Sequence, residues 1–213
     1  MTRGKFISIE GSEGAGKSTA LQFIQQYLAQ AQIEAVVTRE PGGTAVAEDI
    51  RQVLLHAPHT ETMLAETELL LMFAGRAQHL QHCILPALQK GLWVISDRYV
   101  DASYAYQGGG RGMDKANIQW LEQWIVASHI PDLTLLLDID AQLGLSRAEK
   151  RGAQKDRIEQ EKIDFFVRVR EAYLERAKRY PKRIKIIDAD QSLPDVQAAI
   201  KHELDLFIQS IHA

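Results

Sequence analysis

Cysteine is nearly absent from this chain: Cys83 is the only one in 213 residues, so no intramolecular disulfide can form and a reducing compartment is expected. Long apolar runs are absent too. The longest, Leu69 to Ala74, falls far short of the ~18 residues that suggest a membrane span. The apolar stretch after Met1-Thr2-Arg3-Gly4-Lys5 ends at Glu10, too soon for the core of a secretory signal. A cytoplasmic protein with no membrane partner is expected. No repeat or low-complexity tract occurs, and the six prolines and fourteen glycines never gather into a linker, so one domain over residues 1–213 is expected. Nor does one sign of charge dominate: 25 basic and 28 acidic residues give a net charge of −3, which argues against a nucleic-acid partner. What remains is globular composition, 46% hydrophobic and 25% charged, in a chain long enough to bury a sizeable core.

The apolar residues alternate between two patterns. Short β-branched or leucine-rich runs, at Phe6 to Glu10, Glu34 to Thr38, Leu92 to Ser96, Leu133 to Asp138 and Ile184 to Asp188, are separated by longer stretches with helical spacing. After Lys17, for example, Leu21, Ile24, Leu28 and Ala31 share one helical face. Strands that alternate with helices predict βαβ crossovers and a parallel sheet covered on both sides. The expected fold is α/β, a three-layer α/β/α sandwich on a five-stranded parallel sheet.

Where the first strand ends, Gly11-Ser12-Glu13-Gly14-Ala15-Gly16-Lys17-Ser18 fits G-x-x-x-x-G-K-[ST] in full. A strand before it and a helix after it supply the required context, because the helix N-terminal amides and dipole then face an anion. The glycines permit positive φ and close approach of backbone N–H groups to a phosphate, Lys17 neutralises β- and γ-phosphoryl oxygens, and Ser18 can ligate Mg²⁺. The chain is therefore expected to bind a nucleoside triphosphate through residues 11–19. The GTPase patterns D-x-x-G and N-K-x-D occur nowhere in it. The third strand ends in Asp97-Arg98, an acid that can hold Mg²⁺ followed at once by a guanidinium that can fork onto an acceptor phosphate, which suits a kinase.

Further cations point to an acceptor that already carries a phosphate. Arg39, Arg51 and Arg98 can converge at the sheet edge, where fixed positive charge would cancel the repulsion between a phosphate nucleophile and ATP. Residues 147–157 hold five basic and two acidic residues, a local +3 that leaves −6 on the rest. Arg147 and Arg151, four apart, would face the same way on a helix and repel. Such a segment, broken by Gly152, is expected to act as a lid at about 145–160 that brings an arginine to the transferring group. Cys83 and the tryptophans Trp93, Trp120 and Trp124 read as packing residues, the tryptophans in the core or at a subunit interface. The seven histidines show no metal-ligand spacing.

Taken together, Glu10 to Thr19, Thr38-Arg39-Glu40-Pro41-Gly42-Gly43, Arg76-Ala77-Gln78-His79, Asp97-Arg98-Tyr99, Tyr106 to Gly112, Pro131-Asp132-Leu133 and Asp156-Arg157-Ile158-Glu159 resemble the bacterial thymidylate kinases along nearly the whole chain. The resemblance implies a nucleoside monophosphate kinase fold, a homodimer, and Mg²⁺-dependent transfer of the γ-phosphoryl group of ATP to dTMP. It also implies site roles. Glu13 would contact the acceptor's 3′-hydroxyl and help order the metal, alongside Ser18 and Asp97. Arg98 would hold the acceptor phosphate near Arg39, Glu40, Pro41 and Arg51. Arg76 would bind a thymine carbonyl, with Ser103 and Gln107 beside the base and Tyr106 crowding the sugar's 2′ position. Either Phe73, the preferred candidate, or Met72 would pack on thymine. With Gly14 in the loop, the catalytic arginine would come from the lid, leaving Arg147, Arg151 and Arg157 as candidates. The alternatives are a kinase of another nucleotide or of a deoxynucleoside, and a P-loop ATPase that serves as a regulatory module.

Overall fold

A computed structural model describes residues 3–56, 61–150, 152 and 156–212. Five strands, β1 (Phe6–Glu10), β2 (Ala35–Arg39), β3 (Trp93–Asp97), β4 (Leu133–Asp138) and β5 (Ile184–Asp188), form an all-parallel sheet in the order β2-β3-β1-β4-β5. β1, β4 and β5 occupy the expected residues. β2 and β3 lie one residue further on, because Glu34 contributes only its carbonyl, to Trp93 N–H at 2.9 Å, and the paired register opens at Ala35 opposite Trp93. That shift sets Arg39 directly opposite Asp97, which is itself opposite Ile9.

Parallel strands need crossovers, and helices provide them on both faces. They are α1 (Lys17–Gln30), α2 (Ala45–Leu55), α3 (Ala65–His79), α4 (Leu85–Gln89), α5 (Val100–Ser103), α6 (Lys115–Leu121), α7 (Ala141–Lys150), α8 (Ile163–Arg179) and α9 (Leu193–His212). π-helical turns at Leu80–Ile84, Tyr104–Gly110 and Glu122–Val126 continue α3, α5 and α6. Alternation along the strands divides the core. Ile7, Ile9, Leu135 and Leu137 pack with Ile24 and Leu28 of α1 and Ile200 and Leu204 of α9. Phe6 and Val94 face the other way, onto Phe73, Leu80 and Ile84, and Leu136 meets Phe165, Phe166 and Val169 of α8. The three-layer sandwich follows from period-2 alternation on a sheet buried on both sides. The polar residues in mid-sheet are satisfied there, the Ser8 and Thr134 hydroxyls lying 2.8 Å apart.

Several packing expectations need correction. Ala31 caps α1 and is exposed, since the helical face ends at Leu28. Trp93 is half-buried against Phe207, but Trp120 and Trp124 remain 60% and 68% exposed and are not core residues. Cys83 is only half-buried, and the neighbouring His79 pulls its thiol below the usual range. No described helix is long and apolar enough to cross a membrane. β1 sits at the centre, with the chain passing to β2 and β3 on one side and to β4 and β5 on the other. This order opens a crevice at the carboxyl ends of the strands, where open α/β sheets place their ligands.

Candidate active site

A cavity of about 440 Å³ fills that crevice. The loop between β1 and α1 forms one end, contributing Glu13, Gly14, Gly16, Lys17, Ser18 and Thr19 to the wall. Glycines 11, 14 and 16 all have positive φ, the geometry expected of a phosphate-wrapping loop. Gly14 is required for a second reason: a Cβ there would stand 1.9 Å from the Gly144 carbonyl oxygen of α7, so the loop lies directly on α7 and no side chain fits. Lys17 donates to the carbonyls of Gly11 and Ser12 at 3.0 and 2.9 Å. Burial, and after it the Arg98 charge, push the Lys17 ammonium below its usual pKa. Gly11, Ser12 and Ala15 are buried residues of the same loop and are not in the cavity wall.

The middle of the cavity is charged. Asp97 and Arg98 enter from the end of β3, Glu40 and Pro41 from the end of β2, and Arg51 from α2. Arg98 donates to Glu13 Oε1 at 2.6 Å and to the Tyr106 hydroxyl at 2.8 Å, and Tyr106 in turn reaches Glu13 at 3.1 Å. Although burial opposes its charge, Tyr106, Glu13 and Asp97 hold Arg98 well above the usual arginine range. Arg51 is pushed the other way, by burial and then by the Arg39 charge, and its guanidinium rests on the Pro41 carbonyl at 2.9 Å. Arg39 does not join them. It is paired with Glu48 at 2.8 Å and half-exposed, outside the cavity wall.

Leu55, Met72 and Ile158 pack together as an apolar part of the wall, which Tyr106 and Gln107 also line. Phe73, the preferred stacking residue, is elsewhere: adjacent helical residues differ by about 100° in direction, and Phe73 points into the core, with the Arg76 guanidinium 4.5 Å above its ring. Arg76 and Ser103 are fully buried behind the wall rather than in it. There Arg76 donates to Glu40 at 2.8 Å, Ser103 at 3.0 Å and the Tyr99 carbonyl at 3.2 Å. Gln107 lines the cavity, its amide nitrogen donating to Glu68 at 2.9 Å while its buried Oε1 has no partner. Despite burial, Arg111, Gln107 and Arg157 hold Glu68 below the usual carboxylate range. An ionised Glu68 accepts only, so the Gln107 amide is fixed with nitrogen toward Glu68 and an acceptor oxygen left over.

The three arginines expected in a lid differ. Arg147 lines the cavity, donating to the Ala189 carbonyl at 2.7 Å and to Asp190. Arg151 lies outside the described residues. Arg157 is not at the phosphate end: it donates to the Leu54 carbonyl at 2.8 Å and to Glu68 at 2.6 Å. Leu55, Ala102, Asp156 and Glu159 line the cavity without any motif that singles them out; the signal for Glu68 is an acid bordering the apolar run from Leu69 to Ala74.

Among the described residues, no group of three or more His, Cys, Asp or Glu side chains is arranged to hold a metal. Mg²⁺ carried on a triphosphate takes its oxygens mainly from phosphate and water and needs no such group. Asp97 fits such an ion, because its buried Oδ1 has no hydrogen-bond partner. Glu13 fits less well, its Oε1 being held by Arg98 and Tyr106.

A phosphate-binding loop at the carboxyl end of a parallel sheet, opening on a cavity also lined by Arg51, Arg98 and Arg147, defines a P-loop nucleotide kinase. The chain matches the thymidylate kinase family model over residues 9–200. It is 53% identical to the thymidylate kinase of Ruthia magnifica subsp. Calyptogena magnifica, covering 94% of this chain and 97% of that one. It is 52% identical to the thymidylate kinase of Hahella chejuensis, at 96% and 97% coverage. The crystal structure of thymidylate kinase from Ehrlichia chaffeensis superposes with a TM-score of 0.76 at 29% identity, covering 95% of this chain and 99% of that one. The chain belongs to the thymidylate kinase family.

Proposed function

We propose that this enzyme transfers the γ-phosphoryl group of ATP to dTMP, giving dTDP and ADP. The observation that carries the choice of acceptor is the fixed Gln107 amide. Its spare Oε1 suits the N3–H of thymine or uracil and opposes cytosine, whose N3 is itself an acceptor. Met72, also in the cavity wall, supplies a soft apolar contact for the base, and Tyr106, in the same wall, would crowd a 2′-hydroxyl. Arg76 supports the recess from behind through Glu40 and Ser103.

Arg98 and Arg51 hold the acceptor phosphate, cancelling its repulsion with ATP, so that one of its oxygens can attack the γ-phosphorus in line. As that O–P bond forms, the bond to the β-phosphate oxygen breaks and ADP leaves. Lys17 leaves the Gly11 and Ser12 carbonyls for the β- and γ-oxygens, and Arg147, in the cavity wall, meets the transferring group. Mg²⁺, held by Ser18 and Asp97, would supply charge neutralisation on the phosphates. Residues 145–160 act as the lid of a single domain. We place the enzyme in the cytoplasm, as a dimer with a second copy of itself. Exposed Val46 and Val53 on α2, Leu70 on α3, and Trp120 and Trp124 support that pairing.

ADP release measured across nucleoside monophosphates tests the reading. Strong turnover with dTMP and little with dCMP is expected. Preference for dCMP or a free deoxynucleoside, or ATP turnover that needs no acceptor, would overturn it.

A further inference from the structure

Arg98 has a backbone to match its position. Its φ is +68°, in the left-handed region that side chains with a Cβ enter only under constraint. Three hydrogen bonds supply the constraint. The Arg98 N–H donates to the Ile9 carbonyl at 2.9 Å. The Ser96 hydroxyl donates to the Arg98 carbonyl at 2.7 Å. The next N–H, that of Tyr99, donates to Glu10 Oε1 at 2.7 Å. Glu10 is itself anchored, its other oxygen accepting from the Tyr173 hydroxyl of α8 at 2.7 Å. Glu10 and Ser96 are fully buried and Tyr173 nearly so, and none of the three belongs to the cavity wall.

We infer that Glu10 and Ser96 are positioning residues: they lock the peptides flanking Arg98 in the left-handed turn and thereby aim its guanidinium at the acceptor phosphate. Without them the turn relaxes toward right-handed φ, and the Cα–Cβ direction swings the guanidinium away from Glu13 and Tyr106. The inference rests on the phosphate-binding role given to Arg98 above. The carboxyl group acts through its oxygen and not through its charge. Burial pushes Glu10 up to about 8, and the neutral acid still accepts from Tyr99 N–H while exchanging a hydrogen bond with Tyr173. Glutamine has the same shape and the same capacity.

The test is steady-state kinetics on Glu10→Ala, Glu10→Gln, Ser96→Ala, Arg98→Ala and the double variant Glu10→Ala/Arg98→Ala. Since small misplacements of a binding group cost one to two orders of magnitude, Glu10→Ala is expected to raise KM for dTMP about tenfold or more and leave KM for ATP within about twofold. Glu10→Gln should stay within about threefold of the parent, and Ser96→Ala should raise KM for dTMP about threefold. Because Glu10 acts through Arg98, the double variant should be no worse than Arg98→Ala alone. Equal effects on both substrates, full additivity in the double variant, or no rescue by glutamine would overturn the inference. If Arg98→Ala itself leaves KM for dTMP unchanged, the role of Arg98 is what fails. Should Glu10→Ala not fold, Ser96→Ala with and without Arg98→Ala gives the same non-additivity test.

Discussion

Replacing His79 with glutamine should change how stability depends on pH. The imidazole is fully buried, with Nδ1 2.9 Å from Glu40 Oε1 and Nε2 2.7 Å from the Thr38 hydroxyl. Burial works against its charge, but the Cys83 thiol and the Glu40 carboxylate outweigh it and raise the pKa from 6.5 to about 9. A folded value above the unfolded one means that the proton's contribution is complete below the ordinary pKa and is lost as pH climbs through about 9. That interval corresponds to about 3 kcal/mol, comparable to the cost of breaking a buried pair. Glutamine can still hydrogen-bond Glu40 and Thr38 but carries no charge. Urea unfolding of both proteins between about pH 6 and about pH 10 should therefore show the parent ahead at low pH by an amount that shrinks by about 3 kcal/mol at high pH. Glu10, also pushed up by burial, titrates in both proteins and cancels in the difference, whereas Cys83, lowered by His79, does not cancel and belongs to the same His79-dependent change. Parallel stability curves across the whole range would show that His79 is not charged in the fold.

Other consequences are more local. Gly14→Ala places a Cβ against the Gly144 carbonyl at a positive φ, so it should destabilise the protein by about 1–3 kcal/mol in thermal unfolding and raise KM for ATP. Gly109→Ala should cost a similar ~1–3 kcal/mol without touching the loop, because its Cβ would meet Ala172 and the Arg168 carbonyl of α8 at 2.6 and 2.7 Å. Arg147→Ala should lower kcat more than Arg157→Ala does, while Arg157→Ala, which strips a cation from the buried Glu68, should cost about 1–3 kcal/mol of stability; the reverse ranking in turnover would reassign the lid arginine.

The parts of this molecule readable in its sequence are those governed by local grammar. The loop from Gly11 to Ser18 is legible because phosphate binding, positive φ and a following helix demand those residues in that order. Alternation of apolar runs disclosed five strands, but not that β2 and β3 begin with Ala35 and Trp93, since pairing register depends on the neighbouring strand. Side chains distant in sequence were harder. That Met72 rather than Phe73 reaches the cavity depends on how α3 is rotated against Phe6 and Tyr99. That Arg157 turns to Glu68 depends on a contact across 89 residues. Arg39 leaves the sheet edge as expected, yet Glu48 lies close enough to claim it.

Two of the three arginines in the cavity wall already have counterions, Arg98 on Glu13 and Arg147 on Asp190, while Arg51 rests on the Pro41 carbonyl. At Arg98 and Arg147 an arriving phosphate does not meet a bare cation but displaces a carboxylate that stood in for it, so this electrostatic part of binding is a difference between two sets of ion pairs. Added salt screens both sets. Nucleotide affinity in this enzyme should therefore fall with ionic strength less steeply than its number of arginines implies, and the protein's own acids keep the empty crevice from collecting anions indiscriminately.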